Sequence, residues 1–274
     1  MVLIGLRYKL KALQLLALCI ISVRPAAAGV AASDWNFSAV VGWAWRDIDG
    51  TMFSFSPPLS GAATADSLGL GSSGEPDAAI GVRWKRLDVR FVYLPSRFKG
   101  DGVLLQSLDF GFGPVISNTT PISSDLKVTM TLANIEYLLL KQSDMDVGVG
   151  VGVGIGQVEL DITMTPQTGN TVDISGDVPF GYLSATLRKR WGKLALSLGL
   201  QGLSVSQSNT SVAYKSLNIA GAYRFWQREK VDFDILAGYR YTDFDYEFDD
   251  DNSSARSATN FELTGPYVGL RANW

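Results

Sequence analysis

Seven arginines and five acids recur at alternate positions among small and polar residues: Arg46, Arg83, Asp88, Arg90, Glu136, Asp146, Arg188, Arg224, Asp232, Asp234, Arg240 and Arg271. Residues two apart in a strand share a face, so this spacing gathers the charges on one side of a sheet. Charges taken out of water must be paired or hydrated. Two kinds of chemistry fit. One is an ion-pair network filling a narrow enclosure, which the mixed signs favour. The other is a polar conduit with a positive bias. Catalysis has less to stand on. The chain contains no histidine, the side chain whose ordinary pKa lies nearest neutrality. A carboxylate-only mechanism is conceivable, but no pair of acids is set apart among apolar residues. No catalytic, cofactor-binding or metal residue is assigned, and no cofactor is implied.

The elements carrying these charges are strands with the opposite face apolar. Trp35, Phe37, Ala39, Val41, Trp43 and Trp45 alternate with Asn36, Ser38, Val40, Gly42, Ala44 and Arg46. A lipid-spanning strand needs about 9–11 residues with aromatic girdles at both interfaces, and this row fits. Further rows run 78–84, 87–93, 133–139, 147–155, 181–187, 194–200, 217–225 and 231–241. The row at 147–155 lies over an unbroken series of Gly148, Gly150, Gly152, Gly154 and Gly156. The last row is Val268, Leu270, Ala272 and Trp274, alternating with Gly269, Arg271 and Asn273.

Connections between rows alternate in length. Those at 85–86, 141–144, 190–193 and 227–230 are short. Those at 47–77, 95–126, 163–177, 205–212 and 243–257 are mostly much longer. Short turns at one end and long loops at the other are the pattern of membrane barrels. A soluble β-sandwich also alternates, but it would put the glycine series on its solvent face with nothing to pack there. Glycine otherwise weakens a strand, whereas in a barrel it leaves room for long side chains from neighbouring strands. The prediction is all-β: a closed antiparallel transmembrane β-barrel of about 10 strands, with 8 or 12 as alternatives. A hairpin with arms at 103–110 and 114–117 would let two strands project beyond the membrane.

The two ends of the chain agree with export. Arg7, Lys9 and Lys11 precede an apolar stretch, 13–23, too short to span a bilayer, and Ala26, Ala27 and Ala28 offer a cleavage site. The expected organisation is a signal peptide over 1–28 and one barrel over 29–274. Leu18 is too bulky for lipoprotein processing at Cys19. Cleavage removes the only cysteine, so no disulfide framework remains. It also removes Arg7, Lys9, Lys11 and Arg24, taking the formal net charge from −3 to −7. That argues against nucleic acid as a partner.

The segment Gly269-Leu270-Arg271-Ala272-Asn273-Trp274 resembles the closing strand of bacterial outer-membrane β-barrels, which end in an aromatic residue read by the assembly machinery. Gly269, Leu270, Ala272 and Trp274 are the corresponding assembly signal here. The pattern Tyr93-Leu94-Pro95, Gly100-Asp101 and Ile135-Glu136-Tyr137 resembles a group of uncharacterised proteobacterial outer-membrane proteins over about the first half of the mature chain. These resemblances imply a bacterial outer-membrane location and contact with outer-membrane lipid, lipopolysaccharide and the barrel assembly machinery. They imply no activity. Omptin proteases, the outer-membrane phospholipase, and lipid A deacylases and palmitoyltransferases use a histidine, which this chain lacks.

A tract at 243–251 carries Asp243, Asp245, Glu247, Asp249, Asp250 and Asp251 between Phe244, Tyr246 and Phe248. A solvated acidic rim is favoured; divalent-cation bridging to lipopolysaccharide phosphates is the sharper alternative. Parity slips between Tyr241 and Phe244, which requires a bulge or inward-turned aromatics. The expected function is a non-enzymatic structural or surface-interaction role through the outer loops of a monomer. The alternative is a narrow channel for small polar solutes, since about eight strands leave an interior just wide enough for side chains.

Overall fold

A computed structural model describes residues 35–55, 61–103, 120–164, 171–207, 209–228, 231–249 and 256–274. The expected signal peptide and most of the 103–117 hairpin lie outside them. The alternating rows become β1 (Trp35–Phe55), β2 (Gly61–Thr64), β3 (Ser73–Trp84), β4 (Leu87–Val103), β5 (Pro121–Lys141) and β6 (Met145–Met164). They continue as β7 (Thr171–Trp191), β8 (Leu194–Gln207), β9 (Thr210–Arg228), β10 (Val231–Asp249) and β11 (Arg256–Asn273). Each strand from β3 to β11 pairs with its neighbours in sequence, β3 pairs with β1, and β1 pairs with β11. Ten strands therefore close an antiparallel ring. The short β2 pairs only with the outer end of β1.

The closing seam separates this fold from a sandwich. β1 and β11 are in register from Ser38↔Asn273 through Asp47↔Thr264 and beyond. The Trp274 N–H donates to the Phe37 carbonyl at 3.0 Å, and the Trp274 carbonyl accepts from the Phe37 N–H at 2.7 Å. Their rings stack at 6.2 Å. Two of the tight turns use left-handed backbone, at Lys85 (φ 52°) and Gly192 (φ 59°), which matches the twist of the flanking strands.

The outward face carries an exposed apolar belt. Val41, Ile80, Ile135, Val151, Leu183 and Leu270 are each about half exposed or more. Trp191, Phe225, Trp226 and Trp274 edge it at the short-turn end, and Trp43, Trp45, Tyr93 and Tyr239 at the other. These are the two aromatic girdles of a lipid-facing band.

The strands are longer than the sequence rows indicate. Much of the expected loops is paired strand: β4 and β5 stay in register to Val103↔Pro121, β6 and β7 to Thr163↔Thr171, and β10 and β11 to Asp249↔Arg256. In these outer extensions the polarity of the two faces is exchanged. On β6, Val149, Val151 and Val153 face outward over glycines, but beyond them Gln157, Glu159 and Asp161 face outward while Val158, Leu160 and Ile162 are buried. The same exchange occurs on β5, where Ile122, Leu126, Val128 and Met130 are buried beneath outward Asp125 and Lys127. Lipid on the outside demands apolar residues there, and water demands polar ones. The phase change therefore marks where each strand leaves the membrane.

Candidate functional site

The interior is built in tiers. At the short-turn end, Asp88, buried on β4, is the hub. Its Oδ2 accepts hydrogen bonds from Arg83 Nη2 (2.9 Å), Arg90 Nη2 (2.9 Å) and Arg188 Nη1 (3.3 Å). Arg83 also reaches Asp146 at 3.0 Å, and Arg190 lies 3.6 Å from the same carboxylate. Across the ring, Asp234 accepts from Arg271 at 2.6 Å and from Asn273 at 3.2 Å, while Arg224 lies 3.3 Å from Asp232 and 3.7 Å from Asp234. Glu136, 2 % exposed, accepts from Asn134 (2.8 Å) and Thr186 (2.9 Å). Arg46 and Arg240 form a higher tier, both paired to Asp77, Arg240 at 3.1 Å. Arg46 also donates to the Pro95 carbonyl and to Ser96 Oγ, and Arg240 stacks over the Tyr267 ring at 5.2 Å.

Nine of the twelve sequence-assigned charges line one cavity; Arg46, Glu136 and Asp146 are buried but do not line it. Asp77 was placed at the end of a loop by the sequence reading. The inward parity of Ala79, Gly81 and Arg83 extends two residues back to it and was the available signal. Of the assembly-signal residues, Leu270 and Trp274 are exposed on the outward face with Ala272 of the same parity, while Gly269 faces inward against the Val41 carbonyl of β1.

The cavity encloses about 360 Å³. It lies to one side of the interior, away from β6, whose glycine row is covered by side chains and backbone of the paired strands β5 and β7. A Cβ at Gly152 would collide with the Tyr182 ring, one at Gly154 with the Phe180 ring, and one at Gly150 with the Ile135 carbonyl and Glu136. The sequence expectation that the charges fill the enclosure is therefore corrected. They occupy the short-turn half and leave a space, because the inward residues of β8 and β9 are small.

The outer half is a dry core, which the sequence reading did not anticipate. Phe98, Leu126, Leu160 and Ile162 have no exposed surface, and Met52, Val128, Met130, Phe244 and Phe261 are 1 % exposed. Phe180, Tyr214, Phe244 and Phe261 form a chain of rings, with centroid separations of 4.6 Å for Phe180–Tyr214 and 5.5 Å for Phe180–Phe244 and Phe244–Phe261. Tyr182 and Tyr214 spend their hydroxyls on the Ala133 carbonyl and on Gln201 Oε1, as buried tyrosines must. The segment after β2 folds over this core. Thr64 and Ser67 exchange backbone-to-hydroxyl hydrogen bonds of 2.9 and 3.2 Å, Leu70 bridges to Gly100, and Leu68 is inserted with no exposed surface.

Above the lipid the outward face is charged. Tyr241 and Phe244 lie on one uninterrupted ladder between β10 and β11, so there is no bulge and Phe244 turns inward. Asp243 then faces outward and accepts from Lys215 at 3.0 Å. Asp125, Asp161 and Asp173 are cross-strand neighbours. Burial and the adjacent Asp173 hold the Asp161 carboxyl above the usual carboxylate range, whereas a hydrogen bond from Arg97 holds Asp125 below it. Among the described residues, no group of three or more His, Cys, Asp or Glu gathers to hold a metal ion.

No protein-family model and no curated protein sequence matches the chain. Among solved structures, the outer membrane protease OmpT from Escherichia coli is similar with a TM-score of 0.57 at 10 % identity, over 90 % of this chain and 99 % of that one. The translocator domain of autotransporter NalP from Neisseria meningitidis gives 0.42 at 12 % identity, over 95 % of both chains. Neisserial surface protein A gives 0.34 at 16 % identity, over 88 % of this chain and 98 % of that one. The OmpT likeness is one of fold. The closed ten-stranded ring, its lipid-facing belt and this likeness give the chain the fold of a bacterial outer-membrane β-barrel.

Proposed function

We propose that the protein is a non-catalytic outer-membrane barrel whose role is structural or surface-interacting, exercised at its outer end, and that it conducts no solute through its lumen. The observation that carries this is the dry core. A continuous conduit needs a polar path, and the interior from Phe98 and Leu126 to Phe261 is apolar and close-packed. The missing histidine supports the non-catalytic part, because the polar tier then contains only arginines, carboxylates and neutral groups. The charged outer extensions and the cap around Leu68 are the surface offered to lipopolysaccharide or a partner, since binding residues concentrate on connections held by a rigid scaffold. A closed ring leaves no strand edge to pair with a second copy, in keeping with a monomer. Liposomes reconstituted with the purified barrel are expected not to swell in small sugars, and the protein to cleave neither peptide nor phospholipid substrates. Swelling at rates proportional to protein would restore the narrow-channel alternative.

A further inference from the structure

The short-turn half of the lumen contains more positive charge than it can neutralise. On the wall formed by β3, β4 and β7, the guanidinium groups of Arg83, Arg90, Arg188 and Arg190 share the two carboxylates of Asp88 and Asp146, three of them converging on Asp88. Adding Glu136, whose oxygens take Asn134 and Thr186, still leaves one positive charge in excess. In the Arg46–Asp77–Arg240 tier above, Glu75 supplies a second carboxylate acting on Arg46. Each guanidinium carries five donors and no acceptor, so donors far outnumber the oxygens available. Across the cavity, Arg224 Nε is buried and makes no hydrogen bond among the described residues, with the Asp234 carboxylate 3.7 Å away. A buried donor without a hydrogen bond is costly.

The space these donors face is kept open by the sequence. Gly199 on β8 looks into it with nothing closer than ordinary contact to a Cβ built there, unlike Gly152 and Gly154 of β6, whose space is taken by aromatic rings. Ala195 and Ser197 beside it, with Ala220 and Ala222 on β9, line the same void. Its volume of about 360 Å³ falls at the lower end of the roughly 300–1,000 Å³ typical of small-molecule sites. Its ceiling is Arg240, Tyr267 and Leu236, beneath the dry core, and its other end reaches the short-turn mouth, where the Arg190 side chain is 44 % exposed. Short turns face the periplasm in barrels of this kind.

We infer that this half-lumen is a blind pocket for a small polyvalent anion, of the phosphate or carboxylate class, which enters from the periplasmic mouth and is held by Arg90, Arg188 and Arg190. Planar, forked guanidinium groups suit such oxyanions. The pocket opens at the end of the barrel opposite to the proposed interaction surface, so the two stand independently.

Titration calorimetry on the purified full-length mature barrel in detergent tests this with inorganic pyrophosphate, citrate and sucrose. Saturable binding of an anion at one site per barrel, with none for sucrose, is expected; the tighter of pyrophosphate and citrate identifies the class. Arg188→Gln with Arg190→Gln should weaken binding by about tenfold or more. Gly199→Leu should block it while keeping every arginine, and so decides the matter if the arginine variant fails to fold. Absence of binding by both anions, equal binding by sucrose, or anion affinity unchanged in the folded variants would overturn the proposal.

Discussion

At the scale of single residues, the glycines of β6 are defined by what faces them. Gly152 has no room for a Cβ because the Tyr182 ring occupies it, whereas Val151 beside it is 59 % exposed toward lipid. Gly152→Leu should therefore lower refolding yield and stability by about 1–3 kcal/mol or more, as overpacked interiors do. Val151→Leu should leave both nearly unchanged, read as the heat-modifiable band in SDS gels. Trp274 is as local a case. It pairs with Phe37 through two backbone hydrogen bonds and a ring stack, so Trp274→Ala loosens the seam and removes the proposed assembly signal. Less folded protein in the outer membrane is expected, and wild-type amounts of SDS-resistant barrel would count against that role. The parity of these residues was legible in the sequence, since period two alone sorts β6 and β11 into faces. What filled the glycine gap was not, because Tyr182 and Phe180 lie on another strand and their reach depends on three-dimensional register.

At the scale of elements, the strands were legible only as far as lipid makes them so. The rows ending at Tyr93, Ile155 and Tyr241 stop where the outward apolar pattern stops, and the following residues read as loop because their outward positions are polar. Asp125, Lys127, Glu159 and Asp161 are the outward face of the same strands in water, and the inverted alternation of Leu126, Val128, Leu160 and Ile162 was the overlooked signal. The outer halves of these strands should behave as a soluble protein core. Phe98→Ala and Leu160→Ala each remove a side chain with no exposed surface and should destabilise by about 3–5 and 2–5 kcal/mol, respectively, in urea unfolding from vesicles. The hairpin of β6 and β7 has its own pH dependence. Burial and Asp173 raise the Asp161 pKa, so the folded hairpin holds that proton to higher pH than the unfolded chain does. Stability then declines as pH rises through the carboxylate range and stays reduced above the folded pKa. Asp161→Asn should raise the melting temperature at about pH 7 and leave it unchanged at about pH 3, where both states are protonated.

At the scale of the whole molecule, the barrel is three environments stacked along one axis: a positively biased pocket at the short-turn end, the arginine tier on Asp77, and an apolar core roofed by Leu68. The closed ring followed from alternation, turn lengths and an even strand count. The division of its lumen did not, because it depends on which side chains from ten strands meet at each height. Asp77 illustrates this: two residues before a recognised row, it pairs with two arginines from strands far apart in sequence. The stacking decides between a sealed barrel and a conduit, and single-channel recording in planar bilayers reads that difference most directly. The wild-type barrel is expected to give no steady conductance, while emptying the apolar core with Phe98→Ala, Phe244→Ala and Phe261→Ala together should introduce openings. Steady openings of the wild-type protein, altered in ion selectivity by Arg90→Glu or Arg240→Glu, would contradict a sealed lumen.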